Sequence, residues 1–80
     1  MEIEVKYFKL IELTYHDMES LGIDLSEYKI NIRIINNILY VHFYKQDPNW
    51  TGFGSPPGYP ARQYEVDIIS GEIINIRRFR

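Results

Sequence analysis

Residues 29–44 read KINIRIINNILYVHFY, and this stretch decides the fold. Ile30, Ile32 and Ile34 alternate with Lys29, Asn31 and Arg33. A period of two places successive side chains on opposite faces of a strand, and β-branched residues dominate the run. Asn36 and Asn37 then supply side chains that tolerate the positive φ angles of a two-residue type I′ turn. Closing the chain there pairs Ile34 with Leu39, Ile32 with Val41 and Ile30 with Phe43, so one face of the hairpin is wholly apolar. The other face sets Arg33 against Tyr40, Asn31 against His42 and Lys29 against Tyr44, a mixture suited to partial exposure.

Toward the C-terminus the same logic predicts a second hairpin. A two-residue turn at Ser70 and Gly71 opposes Val66 to Asn75 and Tyr64 to Arg77, wasting the apolar positions. A three-residue loop of Ile69, Ser70 and Gly71, with Gly71 as the left-handed residue of a G1 bulge, brings Val66 to Ile74 and Tyr64 to Ile76. Asp67 then stands where its carboxylate accepts hydrogen bonds from turn amides. On the outer face Ala61 meets Phe79 and Gln63 meets Arg77.

Toward the N-terminus the period lengthens to that of a helix. At about 100° per residue, Tyr7, Phe8, Leu10, Ile11, Thr14, Tyr15, Met18 and Leu21 share one broad arc. Lys6, Lys9, Glu12, His16, Asp17, Glu19 and Ser20 take the other side, with Leu13 the one misfit. The helix is expected from near Glu4, with acids at its positive end, to Gly22, which suits the left-handed C′ position.

The expectation is one α+β domain over residues 1–80: a helix at about 4–21 packed on a four-stranded antiparallel meander of strands at about 29–35, 38–46, 61–69 and 72–79. The helix covers the face of Ile30, Ile32, Ile34, Leu39, Val41, Phe43, Tyr64, Val66, Ile74 and Ile76. The opposite face, with Tyr40, His42, Tyr44, Asn75, Arg77 and Phe79, is left without a layer over it. Residues 47–60 read DPNWTGFGSPPGYP, whose prolines and glycines exclude regular structure and mark a long loop, the usual place for specific function.

Composition narrows the function classes. Eighty residues with nine Lys and Arg against eleven Asp and Glu give a net charge of −2. That lacks the basic excess that neutralising a phosphate backbone requires, so nucleic acid is not the expected partner. The absence of Cys points to a reducing compartment. Glu2, Glu4, Lys6 and Lys9 interrupt any apolar leader, and no run approaches a membrane span, so a cytoplasmic location is expected. The acids cluster: Glu2, Glu4, Glu12, Asp17, Glu19, Asp24 and Glu27 meet only Lys6 and Lys9 before residue 28, while cations predominate after it.

Chemistry finds little footing. His16 and His42 show no metal-ligand spacing, and Ser20, Ser26, Ser55 and Ser70 sit at a helix end or in turns with no base beside them. Glu65 and Asp67 share a strand face, where pairing with Asn75 and Arg77 explains them. Gly52, Gly54 and Gly58 are separated by prolines and precede a strand, unlike a phosphate-binding loop. Pro56, Pro57, Gly58 and Tyr59 spell a proline-proline-x-tyrosine pattern, most simply a proline-rich turn. No catalytic residue, metal or cofactor is therefore expected. Trp50, Phe53 and Tyr59 of the loop are expected first to fold back onto the open sheet face and otherwise to anchor a partner; with them, the candidate partner-binding residues are Tyr40 and Tyr44 of the open face and Glu12, Asp17 and Glu19 of the helix.

An aromatic-rich helix, the strand run Tyr40-Val41-His42-Phe43-Tyr44, a glycine-rich loop and the closing hairpin Tyr64-Glu65-Val66-Asp67-Ile68-Ile69-Ser70-Gly71-Glu72-Ile73-Ile74 resemble the small cystatin-like or NTF2-like immunity proteins of bacterial toxin systems. The closing hairpin is also similar to that of PepSY-type domains. The resemblance implies a cystatin-like, half NTF2-like fold and a non-enzymatic protein that neutralises a cognate toxin. The PepSY likeness implies instead a module that binds a peptide or protease. The loop with Trp50 and two adjacent prolines departs from the shorter glycine-rich loops of these families, so a binding surface there is particular to this chain.

Overall fold

The computed structural model describes residues 2–46 and 58–79. One N-terminal helix, α1 (Phe8–Glu19), packs on a four-stranded antiparallel sheet of β1 (Lys29–Ile35), β2 (Ile38–Tyr44), β3 (Ala61–Asp67) and β4 (Ile73–Phe79), in the spatial order β1-β2-β3-β4. The helix is shorter than the amphipathic stretch. Residues Val5–Tyr7 form a 3-10 turn, closed by a 3.1 Å bond from the Tyr7 amide to the Glu4 carbonyl. Neither Glu4 nor Tyr7 caps an amide with its side chain, and an uncapped end readily tightens into such bonds. Gly22, at φ 71°, ends the helix, its amide bonded to the Glu19 carbonyl at 3.0 Å.

The first hairpin has the register read from the sequence, Ile34 with Leu39, Ile32 with Val41 and Ile30 with Phe43, around Asn36 and Asn37 at φ 50° and 63°. The second differs. Bonds from the Gly71 amide to the Asp67 carbonyl and from the Asp67 amide to the Glu72 carbonyl, at 2.8 and 2.9 Å, close a loop over residues 68–71, one residue longer than expected. Val66 therefore meets Ile73 and not Ile74, and a bulge beside Glu65 and Val66 restores the expected pairing of Tyr64 with Ile76. Ile73 packs against the core while Ile74 is 54% exposed.

The core consists of Leu39, Val41 and Phe43 from β2, Tyr64 and Val66 from β3, and Met18 from α1. Phe43 and Tyr64 meet edge to face at 5.9 Å, an arrangement their ring quadrupoles favour. These strands are buried because each has a neighbour on both sides and the helix above. Among the described residues β1 has a strand on one side only, and α1 lies toward β3, so Ile30 and Ile34 remain 44% exposed. The helix was expected to cover the whole apolar face; it covers the central strands.

Candidate partner-binding surface

The position of α1 follows from two contacts. Near its C-terminal end one carboxylate oxygen of Asp17 accepts bonds from the Tyr64 hydroxyl at 2.6 Å and Arg62 Nη1 at 2.9 Å, both from β3. Near its N-terminal end Leu10 lies against Gly71, in the loop joining β3 to β4. The helix is thereby held toward the β3 side, and the part of its apolar arc that faces β1 borders an open groove over Ile30 and Phe43. Phe8 and Tyr15 are 55% and 41% exposed for this reason.

The result is an open apolar groove of about 470 Å³, walled by Phe8, Ile11 and Tyr15, floored by Ile30 and Phe43, and rimmed by Glu12. A second groove, of about 490 Å³, lies farther along β1 at Ile32 and Ile34, with Glu2, Glu4 and Arg33 beside it. Apolar surface framed by carboxylates suits an amphipathic segment carrying positive charge.

The residues singled out in the sequence occupy separate places. Glu12 and Glu19 bracket His16, whose Nε2 and Nδ1 lie 3.4 and 3.0 Å from their carboxylates. Hydrogen bonds to Glu19 and then Glu12 raise the His16 pKa above its usual 6.5. Asp17 is engaged by Arg62 and Tyr64, so its carboxylate serves the fold and is not a free member of the acidic face. On the outer sheet face the Arg33 guanidinium lies 5.5 Å from the Tyr40 ring, and the His42 ring sits 5.3 Å from both Tyr44 and Phe79. Burial, and secondarily Arg33, lowers the His42 pKa. Lys45 stands 3.6 Å from the centre of the Tyr59 ring and pairs with Glu27 at 3.0 Å. Trp50 and Phe53, with Pro56 and Pro57, lie outside the described residues.

Periodicity places Phe8, Tyr15 and Ile30 in the core, whereas in the structure they line the groove. Its signal was available in principle, since one helix about 10 Å across cannot shield four strands spaced about 4.8 Å apart.

Asn75 Nδ2 donates to Glu65 at 2.7 Å, the cross-strand partnership the sequence implied. The Asp67 carboxylate accepts from the Ile69 and Ser70 amides at 2.8 and 3.3 Å. Burial, followed by the bond to Asp17, pushes the Tyr64 hydroxyl up to about 12, so it stays protonated through the physiological range. Among the described residues no three His, Asp or Glu side chains gather to hold a metal ion, and no helix is long and apolar enough to cross a membrane. Comparison with protein-family models, curated proteins and solved structures finds no match to the chain.

Proposed function

We propose that this chain is a non-enzymatic, cytoplasmic protein-binding domain that neutralises a cognate bacterial toxin, the toxin presenting a basic, amphipathic segment to the groove between α1 and β1. The observation that carries the reading is the apolar groove itself, with half-exposed Phe8, Tyr15 and Ile30 beside Glu12. Completing the burial of such side chains is worth about 1 kcal/mol each, half the value for a fully exposed one. Glu2, Glu4, Glu12 and Glu19 supply the long-range attraction that speeds encounter with a basic protein. The likeness to immunity proteins supports the same role, with Trp50, Phe53, Tyr59, Tyr40 and Tyr44 as anchors for a second contact.

The test is co-expression with effectors encoded beside the gene, scored by growth rescue and co-purification. Phe8→Ser with Tyr15→Ser is expected to abolish both while leaving the circular dichroism spectrum intact, because both side chains are already half exposed. Full protection by that double variant removes the groove from the reading. The absence of protection by the wild-type chain against any neighbouring effector removes the toxin.

A second reading, a cystatin-like or PepSY-like peptide-binding module, is favoured by one observation. Among the described residues no strand pairs with the outer edge of β1, which is open to a peptide added as a further strand.

A further inference from the structure

We infer that the sheet face turned away from α1 carries a binding site for a small carboxylate, held by Arg33, Asn31, His42, Gln63 and Tyr40. The inference goes beyond the toxin-binding reading and does not rest on it, since the groove lies on the opposite face. These five side chains come from three adjacent strands and line a recess of about 130 Å³. Strand pairing puts them there. His42 stands between Asn31 of β1 and Gln63 of β3, and Arg33 and Tyr40 form the neighbouring cross-strand pair on the same face. The recess has room for roughly four water molecules, or for a carboxylate with a few carbons attached.

Every member of the set can donate a hydrogen bond. Arg33 offers the planar fork of its guanidinium, Asn31 and Gln63 each a carboxamide NH2, His42 a ring N–H and Tyr40 a hydroxyl. Among the described residues none of the five side chains hydrogen bonds to another group, and no acid forms an ion pair with Arg33. Arg33 also borders the groove beside Glu2 and Glu4, but Glu4 is taken by Lys6 at 3.2 Å. The acids Glu65 and Asp67 of the outer face are likewise engaged, by Asn75 at 2.7 Å and by the Ile69 and Ser70 amides. Two of the donors are already held in place. The Arg33 guanidinium lies over the Tyr40 ring, a contact that occupies no N–H donor, and the His42 ring rests against those of Tyr44 and Phe79. Donors fixed before the ligand arrives lose less entropy on binding it.

Charge selects the class of ligand. Burial, then Arg33, keeps the His42 pKa below 6.5, so at neutral pH the ring brings a donor and no charge. Arg33 is thus the single formal charge among the residues lining the recess. One cation and four neutral donors match a monoanion, and a guanidinium takes a carboxylate through two parallel bonds. A phosphate dianion brings a second charge that nothing in the recess neutralises, and its desolvation opposes binding. A ligand of about four non-hydrogen atoms, such as acetate, has a low ceiling of affinity, so a dissociation constant of roughly 1–10 mM is expected.

Acetate is the probe, titrated into the whole chain to about 100 mM at ionic strength held constant with sodium chloride. Amide and imidazole NMR shifts are expected to saturate, with the largest changes at Asn31, Arg33, Tyr40, His42 and Gln63, and inorganic phosphate to bind several-fold more weakly. Arg33 and Asn31 are exposed, so substitutions there leave the fold intact, which circular dichroism checks. Arg33→Gln removes the cation and Asn31→Asp adds an opposing charge; each is expected to weaken acetate about tenfold or more. Arg77 pairs with Gln63 from β4 and lies outside the recess, so Arg77→Gln is expected to change the affinity less than about twofold. Shifts that never saturate, phosphate binding as tightly as acetate, or wild-type affinity in Arg33→Gln overturns the inference. So does an Arg77→Gln loss equal to that of Arg33→Gln, which would reveal a diffuse positive field in place of a site.

Discussion

Asp17 accepts a 2.6 Å hydrogen bond from the Tyr64 hydroxyl, joining the last part of α1 to a central strand of the sheet. The same oxygen takes a 2.9 Å bond from Arg62. Tyr64 is fully buried, and removing its acceptor leaves the hydroxyl only the water that can enter where the partly exposed Asp17 side chain stood. Asp17→Ala is therefore expected to cost about 1–3 kcal/mol, and Asp17→Asn, which keeps an acceptor but loses the ion pair, about half as much. Urea unfolding measures both, and a double-mutant cycle with Tyr64→Phe should return a coupling of about 1–2 kcal/mol. A cost below about 0.5 kcal/mol for Asp17→Ala would show that the helix is held by packing alone.

Burial of the Tyr64 hydroxyl, and secondarily the same bond, gives the fold an alkaline limit. In the folded chain the Tyr64 hydroxyl ionises near about 12, against 10.0 for a free tyrosine. Because the folded value is the higher one, this contribution is fully present below pH 10 and is lost as pH rises toward 12. The loss is on the order of 2 kcal/mol. Urea midpoints between pH 9 and 12 should fall more steeply for the wild type than for Tyr64→Phe; parallel curves refute the assignment.

The fold was legible where local chemistry dictated it. Two strands joined by a two-residue turn have one register that buries the isoleucines, and that register is observed. The second hairpin was harder, because loops of three and four residues both end on a left-handed Gly71. The extra loop residue is absorbed by a bulge that sequence alternation does not reveal. The placement of α1 was illegible for a different reason. Asp17 reads as one more solvated acid until the chain brings it to Tyr64, 47 residues away. With the helix set toward β3, Phe8, Tyr15 and Ile30 leave the core and become a surface.

Gly71 sits at φ 75°, and a methyl group added there would meet only Leu10 Cδ2, at an ordinary contact distance of 3.8 Å. Space is therefore not the obstacle, and the cost of Gly71→Ala is that of the left-handed backbone, about 1–2 kcal/mol. In a domain of this size that lowers Tm by roughly 5–15 °C. Thermal unfolding that leaves Tm unchanged would mean that the loop over residues 68–71 relaxes at no cost to another conformation.

The two histidines should titrate in a fixed order. His42 is held below 6.5 by burial first and by Arg33 second, whereas His16 is held above it by Glu19 first and Glu12 second. The contributions to stability have opposite signs. That of His16 is present below pH 6.5 and fades as pH rises through its folded value, while His42 removes stability as pH falls from 6.5 through its own. Imidazole resonances followed by NMR should move at lower pH for His42 than for His16. Glu19→Gln should lower the His16 value more than Glu12→Gln does, in keeping with contacts of 3.0 and 3.4 Å. The titration also sets the charge of the groove's rim, because a protonated His16 offsets one of the carboxylates beside it. Association with a basic partner should consequently strengthen as pH rises through the His16 transition, and an affinity flat across that range would separate the acidic helix face from binding.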